Sequence, residues 1–284
     1  MCRLPLAFQI GTREIVAFRK RFTAPALKWT LVDIHSHVLF GMDDGAETLE
    51  DSIALVKMAA EAGTTDLVGT PHANPAYRFD PMTVMERLRA VELAAGGVLR
   101  LYTGCDFHLS YDNIEDALKN PRKYTINQNR YLLVEFSDLL IFNNTGEIFA
   151  RLLDAGMVPV ITHPERNRLL RKRLEELARW CEAGASIQVT GQSLLGGFGK
   201  SAYEFSRTLL DQRLVHFIAS DGHDVVRRPP VMNTAFAWLD ENYGRATAEA
   251  LCVGNPRAAL LGDAVTLPEV SVVPASRKWY QIWR

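Results

Sequence analysis

Two histidines and two aspartates lie close together near the start of the sequence. The stretch DIHSHVLFGMDDG (33–45) contains His35, His37 and Asp44. If DIHSH is a strand, the side chains of His35 and His37 point the same way, because strand residues two apart share a face. Neutral imidazole and carboxylate are ligands of zinc, manganese and iron. The spacing therefore favours a metal site, although an isolated His-x-His motif is also found as a polar strand end.

Further residues of the same types occur where later apolar runs end: His72, Asp106, Glu135, His163, Asp221 and His223. Glu135 in LLVEFS is informative, because a lone charge in an apolar strand is costly when it is unpaired. The four carboxylates would repel one another if they converged without cations. Together these positions supply nine candidate ligands, which are too many for one ion and sufficient for two or three ions that share carboxylates.

Seven apolar runs precede or contain these residues, and most of them are nearly continuous rather than alternating. Such runs are typical of strands that are buried on both faces of a parallel sheet. They cover 30–36, 65–72, 99–107, 131–137, 157–165, 185–191 and 215–223. Helical patterns lie between them, at 48–62, 81–95, 145–155, 171–183, 201–213, 231–243 and 246–252. The alternation predicts a parallel α/β fold, and seven units favour a closed or nearly closed (β/α)7 barrel, whose carboxyl rim would hold the site.

The composition sets limits on function. The chain has 284 residues, 48% of them hydrophobic, and a net charge of −1, so no charge excess indicates a nucleic-acid or anionic-membrane partner. No run has the length of a transmembrane helix. The four cysteines form no CxxC pair, which indicates reduced thiols and a cytoplasmic protein. We expect an N-terminal extension at 1–29 rather than a targeting segment, a single domain at 30–265 and a tail at 266–284.

Two histidines fall outside the ligand pattern. His216 begins an apolar run, at the end opposite the predicted site, and we interpret it as structural. His108 lies two residues beyond Asp106, so we expect it near the pocket but not as a ligand.

The motifs DIHSH, DDG, TPH, VEFS, THPER, ASDGH, RRPP and GNPRAALLG occur in this order between about residues 31 and 262. In this set the chain resembles the polymerase-and-histidinol-phosphatase (PHP) superfamily, and within it the bacterial metal-dependent protein-tyrosine phosphatases of the CpsB/YwqE type. The resemblance implies a distorted seven-stranded, TIM-like barrel. It also implies three divalent metal ions, most often manganese, with iron, zinc and magnesium as other options.

Carried over position by position, the resemblance assigns each candidate ligand to an ion. The implied ligands are His35, His37 and Asp221 for the first ion, Glu135 and His163 for the second, and Asp44, His72 and His223 for the third. Asp106 would bridge the first two ions. The family usually has glutamate at that position, so the shorter arm of Asp106 would alter the metal spacing or lower the occupancy of one site.

The implied reaction is hydrolysis of a phosphate monoester by attack of metal-activated hydroxide on phosphorus. Arg166 and Arg228 are the arginines placed at the phosphate, which a guanidinium can hold through two parallel hydrogen bonds; the alternative is that they are surface residues. Asp221 or His223 could assist protonation of the leaving phenolate. The implied substrate is a phosphotyrosine protein, namely a bacterial tyrosine kinase of capsule or exopolysaccharide biosynthesis with a tyrosine-rich tail.

A cysteine mechanism is excluded by spacing. Thiol tyrosine phosphatases need an arginine six positions after the nucleophile, and the residues found there are Phe8, Tyr111, Ile187 and Ala258. Two alternatives stay open. One is a small-molecule phosphoesterase of the same superfamily, such as histidinol phosphatase, and the other is a non-catalytic binding module that keeps the barrel.

Overall fold

Nine parallel strands in two sheets form the framework of residues 30–266, the part of the chain that this computed structural model describes. The first sheet has the order β1-β2-β4 and the second has the order β3-β5-β6-β7-β8-β9. The strands are β1 Leu31–Ser36, β2 Thr64–Gly69, β3 His72–Ala73, β4 Arg100–Thr103, β5 Asp106–His108, β6 Tyr131–Glu135, β7 Val158–Thr162, β8 Ser186–Thr190 and β9 Phe217–Ala219. The predictions for 1–29 and 267–284 lie outside the described residues.

The predicted number of strands, seven, is wrong for the described residues, because two of the predicted runs are each split into two strands. The run at 65–72 breaks at Pro71, which has no backbone N–H to continue the ladder. The run at 99–107 breaks at Gly104, which lies so close to Val68 and Thr70 that a Cβ would be 2.8 and 3.0 Å from their side chains. The two split runs stay paired with each other along both halves, since β2 pairs with β4 and β3 pairs with β5.

The end of the first strand, β1, is also connected to the segment after the last strand, β9, through backbone hydrogen bonds that are not part of either sheet. The backbone N–H of Asp221 donates to the carbonyl of His35, and the N–H of His37 donates to the carbonyl of Gly222, both at 2.8 Å. Below them, the buried carboxylate of Asp33 accepts the N–H of Ser220 at 3.0 Å. These bonds bring the DIHSH and ASDGH segments side by side.

Most helices occur between strands, as the alternation predicts, and the last three follow β9. They are α1 Leu49–Glu61, α2 Pro81–Ala95, α3 Tyr111–Lys119, α4 Thr145–Asp154, α5 Leu174–Glu182, α6 Gly191–Leu194, α7 Lys200–Asp211, α8 Asn233–Tyr243, α9 Arg245–Glu249 and α10 Asn255–Leu261. Thr48 caps α1 in a capping box with Asp51, and Asp80 caps α2 ahead of Pro81. Three helices were not predicted from the sequence: α3, which Ser110 caps, the short α6, and α10.

An apolar cluster lies beneath the polar residues of the predicted site. Leu133 and Val160 are register partners in this cluster, and Asp106 is the partner of Leu133 on the other side. Register partners in a parallel sheet project to the same face. Asp106 therefore projects on the same side as a buried apolar floor, and a polar site above that floor is held by rigid strands. None of the helices within residues 30–266 is long and apolar enough to cross a membrane.

Candidate metal centre

Seven of the nine predicted ligands form three overlapping groups in which the donor atoms lie within 4.8 Å of one another. The groups are His37, Asp44, His72 and His223; His35, His37 and Asp106; and His72, Asp106 and Glu135. The other two ligands lie beside these groups. Oδ1 of Asp221 is 3.5 Å from Nε2 of His35, and Nε2 of His163 is 3.9 Å from Oε1 of Glu135. The structure thus brings all nine predicted residues into one cluster.

Three of the histidines have their Nδ1 atom held by a neighbour. Nδ1 of His35 is 3.0 Å from Oε1 of Gln188, and Nδ1 of His223 is 2.9 Å from the carbonyl of Asp221. Nδ1 of His37 is 2.6 Å from Oδ2 of Asp43. A hydrogen bond from Nδ1–H fixes the ring and leaves Nε2 as the free donor atom. The Nε2 atoms of His35 and His37 lie 3.2 Å apart, so both face the same point.

The buried polar atoms of the centre test whether it fits metal ions. Asp106 is completely buried, and its Oδ2 atom lies 3.1 Å from Nδ1 of His72 and 3.6 Å from Nε2 of His35. Neither Oδ2 of Asp106 nor Nδ1 of His72 makes a hydrogen bond. Unsatisfied buried polar atoms are costly, and cations would satisfy both of these. The donor set fits Mn²⁺, Fe²⁺ or Zn²⁺, and the aspartate arm is long enough to reach both neighbouring groups.

Charges within the cluster alter its pKa values strongly. Burial opposes protonation of His37, but Asp43 and Asp221 outweigh it and raise the pKa of His37 to about 9. His72 is also desolvated, yet Asp106 and Asp44 raise its pKa to about 11. Conversely, the neighbouring histidines hold the pKa of Asp106 well below its usual range despite its burial. The lowered pKa values of Asp44, Asp106 and Asp221 show that these carboxylates attract positive charge, which protons or metal ions can supply.

Two residues of the centre have backbone conformations that are uncommon for residues other than glycine. The φ angle is +34° at His163 and +52° at Asp221. Such left-handed conformations persist where the surrounding structure enforces them, and they concentrate at functional sites. The next residue, Gly222, packs against Pro230 so closely that a Cβ would lie 2.7 Å from the proline ring. The ASDGH turn is therefore tightly constrained.

The glycine of the DDG motif is required by packing. A Cβ on Gly45 would collide with the carbonyl of His37, and the N–H of Ala46 donates to that same carbonyl at 3.1 Å. This close approach folds the loop back over β1. It places Asp43 on His37 and places Asp44 at 3.3 Å from Nε2 of His72 and 3.5 Å from Nε2 of His223.

Arg166 and Arg228 meet at one oxygen atom. Both guanidiniums pair with Oδ2 of Asp221, Arg228 at 2.6 Å, whereas Oδ1 of the same carboxylate faces the imidazoles of His35 and His37. The ring of Phe198 lies under them, with centroid distances of 4.5 Å to Arg166 and 6.0 Å to Arg228. Asp221 thus joins an arginine pair to the metal-ligand cluster, and neither arginine is an isolated surface residue.

The two remaining histidines lie where the sequence analysis expected them. Nδ1 of His108 is 3.8 Å from Oε2 of Glu135, at the edge of the cluster. His216 is buried away from the site, and its Nδ1 accepts the backbone N–H of Ile187 at 3.1 Å.

Three supporting residues were not predicted from the sequence: Asp43, Gln188 and Phe198. Gln188 could have been found, because it is a polar residue in the apolar run ASIQVTG, the same signal that pointed to Glu135. Asp43 is indistinguishable from Asp44 by type and position. Phe198 lies in the glycine-rich segment GGFGK, which carries no chemical signal.

The cysteines offer no nucleophile among the described residues. Cys105 and Cys252 are completely buried, and burial raises the pKa of each thiol. Burial also raises the pKa of Cys181 to about 12. Thiols with raised pKa values are not thiolates near neutral pH and are poor nucleophiles.

A histidine and carboxylate centre at the carboxyl ends of parallel strands defines a class, that of α/β proteins built for metal-dependent hydrolysis. Within this class, the chain belongs to the capsular polysaccharide synthesis family CpsB/CapC, whose model matches residues 31–261. This match confirms the family that the sequence motifs indicated.

The similar proteins include curated phosphatases. The chain is 37% identical over 211 residues to the putative tyrosine-protein phosphatase CapC of Staphylococcus aureus, covering 72% of this chain and 82% of that protein. It is 34% identical over 218 residues to the tyrosine-protein phosphatase YwqE of Bacillus subtilis, covering 75% and 85%. A crystal structure from work on YwqE of Bacillus subtilis and CpsB of Streptococcus pneumoniae, described as metal-dependent tyrosine phosphatases, matches with a TM-score of 0.79 and 30% identity, covering 86% of this chain and 99% of that one.

Proposed function

We propose that this protein is a metal-dependent protein-tyrosine phosphatase of capsule or exopolysaccharide synthesis. One observation carries the proposal: a largely buried cluster of five histidines and four carboxylates joins, through Asp221, a pair of arginines suited to a phosphate group. Relatives named tyrosine-protein phosphatases, which align over most of this chain, support the reaction type. No thiol among the described residues competes for the role of nucleophile.

We assign the ligands to three ions as the sequence resemblance implies. His35, His37 and Asp221 hold the first, Glu135 and His163 the second, and Asp44, His72 and His223 the third, with Asp106 between the first two. The three overlapping groups of donor atoms support this number of ions.

Bound metal ions would activate water for attack on phosphorus and offset the charge of the phosphoryl oxygens. The chain's own residues orient the substrate. Arg166 and Arg228 present two guanidiniums from the same side, so they can hold the phosphate through paired hydrogen bonds. Phe198 holds both guanidiniums in place from beneath. Because a phenolate is a tolerable leaving group, assistance from Asp221 or His223 in its protonation is a secondary contribution.

The family assignment also supports proposals about the barrel, the location of the protein and its substrate. We propose that the two sheets together form one distorted seven-stranded barrel. In this barrel β2 and β3 count as one interrupted strand, and β4 and β5 count as another. The hydrogen bonds between β1 and the segment after β9 support this closure. We also propose that the protein acts in the cytoplasm on a tyrosine kinase of capsule synthesis with a tyrosine-rich tail.

A comparison of substrates tests the reaction class. We expect the specificity constant, kcat/KM, for a phosphotyrosine peptide to exceed those for the matching phosphoserine peptide and for histidinol phosphate, all measured at one manganese concentration. If histidinol phosphate is preferred by more than about tenfold, which corresponds to about 1.4 kcal/mol in transition-state binding, the protein is a small-molecule phosphoesterase instead. Absence of hydrolysis of every phosphate ester by metal-loaded protein would favour the non-catalytic binding module.

A further inference from the structure

A cationic cavity lies beside Arg166, one of the two arginines at the metal centre. It has a volume of about 330 Å³ and is lined by Arg166, Arg171, Phe198, Lys200 and Ser201, with Gly199 and Ala202. Arg166 also pairs with Asp221, so this one side chain borders both the cavity and the metal centre. The volume is at the lower end of the range of about 300–1,000 Å³ for ligand sites. It suits one side chain or small group rather than a whole peptide.

The charges that line this cavity are not fully compensated. Arg166 has three carboxylate neighbours, Asp221, the buried Glu165 and Glu135. Nη1 of Arg171 instead donates to two backbone carbonyls, those of Glu165 and Arg166, at 2.9 and 3.0 Å, and within residues 30–266 Arg171 has no ion pair with a carboxylate. Among the described residues, the carboxylate paired with Lys200 is that of Glu204, at 3.6 Å, and both side chains are mostly exposed, which makes that pair weak.

The adjoining chain strengthens the positive charge. The segment RNRLLRKR (166–173) contains five basic residues and no acidic one, in a protein whose net charge is −1. Arg173 is paired with Glu176 at 3.0 Å, whereas Arg168 and Lys172 are exposed. At physiological salt, charges act over about 8 Å. Charges that line the cavity therefore act most strongly on a bound group, and those of the adjoining segment act on it more weakly.

We propose that this cavity is a second anion subsite, which binds a negatively charged group of the substrate next to the phosphotyrosine. The inference rests on the proposed phosphatase function and adds a substrate preference to it. The group is a carboxylate or a second phosphate, because a fixed guanidinium and a nearby ammonium recognise both. Since Arg166 borders both sites and an extended peptide advances about 3.3 Å per residue, the second anion belongs to a residue close in sequence to the phosphotyrosine.

Peptides that differ in one position test the subsite. We would compare a phosphotyrosine peptide with neutral flanks, the same peptide with glutamate at each of the three positions on either side, and versions with phosphoserine at those positions. We expect kcat/KM to rise by about fivefold for the best acidic peptide, the scale of one favourable charge contact. A larger gain with phosphoserine than with glutamate identifies phosphate as the preferred group, and equal gains identify a general anion subsite.

Variants show whether a preference for acidic peptides is due to the cavity or to the general positive charge of the surface around it. The measured quantity is the ratio of kcat/KM for the acidic peptide to that for the neutral peptide, because effects on hydrolysis itself cancel in this ratio. Lys200→Glu, and independently Arg171→Gln, should bring the ratio close to one. Lys172→Glu makes the same change of charge at an exposed position that does not line the cavity, and it should leave the ratio near the wild-type value.

Two outcomes would overturn the subsite. They are a wild-type ratio of one for every acidic peptide, and an equal fall of the ratio in Lys172→Glu and Lys200→Glu. Both are distinct from failure of the proposed function, in which no phosphotyrosine peptide is hydrolysed, neutral or acidic.

Discussion

Oδ2 of Asp43 lies 2.6 Å from Nδ1 of His37 and 3.1 Å from the backbone N–H of His72. One carboxylate oxygen thus orients two of the candidate metal ligands, although it lies in none of the three groups of donor atoms. Oδ1 of the same residue accepts the N–H of Gly45 at 3.0 Å, which holds the loop itself. Asp43 therefore connects the DDG loop with strands β1 and β3 at the metal centre.

Replacing Asp43 with asparagine should weaken metal binding more than it weakens folding. Asparagine can still accept a hydrogen bond, but it removes the negative charge that supports the His37 ring. Loss of such a supporting carboxylate typically lowers metal affinity by about 10- to 100-fold. Titration of the stripped protein with Mn²⁺, followed by calorimetry, measures the affinity, and excess metal should restore much of the turnover. Unchanged metal affinity in a folded Asp43→Asn protein would show that Asp43 is not needed to orient His37.

Loss of either arginine of the pair should lower turnover. We expect Arg166→Ala or Arg228→Ala to reduce kcat/KM for a phosphotyrosine peptide by about 10- to 1,000-fold, the scale of removing one donor to a transition-state oxygen. Replacement by lysine should recover only part of this, because the paired hydrogen bonds of the guanidinium are lost. Arg179→Ala, on the exposed face of α5, is the matched control and should retain full activity. Wild-type kinetics in both Arg166→Ala and Arg228→Ala would remove the arginines from the mechanism.

His216 should make the stability of the fold sensitive to acid. Burial lowers its pKa from 6.5 to about 4, outweighing a contact with the carbonyl of Leu214. Between these values the unfolded chain binds a proton that the native protein does not, so stability is complete above pH 6.5 and falls as the pH approaches 4. The loss from this group is roughly 3 kcal/mol.

Urea unfolding at several pH values checks this. In His216→Asn the amide oxygen can replace Nδ1 as the acceptor for Ile187, but the side chain does not titrate. The free energy of unfolding of this variant should decline less between pH 6.5 and 4 than that of the wild type. Parallel curves for the two proteins would contradict the assignment.

The part of the site that follows strand ends could be predicted from the sequence. His35, His72 and Asp221 are found where apolar runs stop, and such runs can be recognised locally because buried parallel strands need continuous apolar residues. The splitting of two strands could not be predicted in this way. It depends on the contact of Gly104 with Val68 and Thr70, and these residues are distant in sequence.

The supporting contacts show the same limit. The choice between Asp43 and Asp44 depends on how the loop closes over His37, and that closure is a property of tertiary packing. The helix at Tyr111–Lys119 was missed although Ser110 is a favourable N-cap, because its apolar stripe is short and only Ile114 and Ala117 are buried. Such helices are stabilised mainly by the surface on which they pack.

Thiol chemistry should be dispensable. Because burial raises the pKa of Cys105, Cys181 and Cys252, we expect iodoacetamide to leave the phosphatase activity of the folded protein unchanged. A variant with all four cysteines replaced, by alanine at the two buried core positions and by serine elsewhere, should keep most of its turnover, with circular dichroism as the check of folding. A folded variant without activity would point to a cysteine and away from the metal centre.

Removal and return of metal tests the central claim most directly. The protein would be stripped with a chelator, its residual metal measured by elemental analysis, and hydrolysis of a phosphotyrosine peptide followed as Mn²⁺ is added back. We predict negligible turnover in the stripped protein, recovery on addition of Mn²⁺ with a stoichiometry approaching three ions per chain, and no recovery in His35→Ala or Asp221→Ala. Full activity in protein verified to be free of metal would contradict the account.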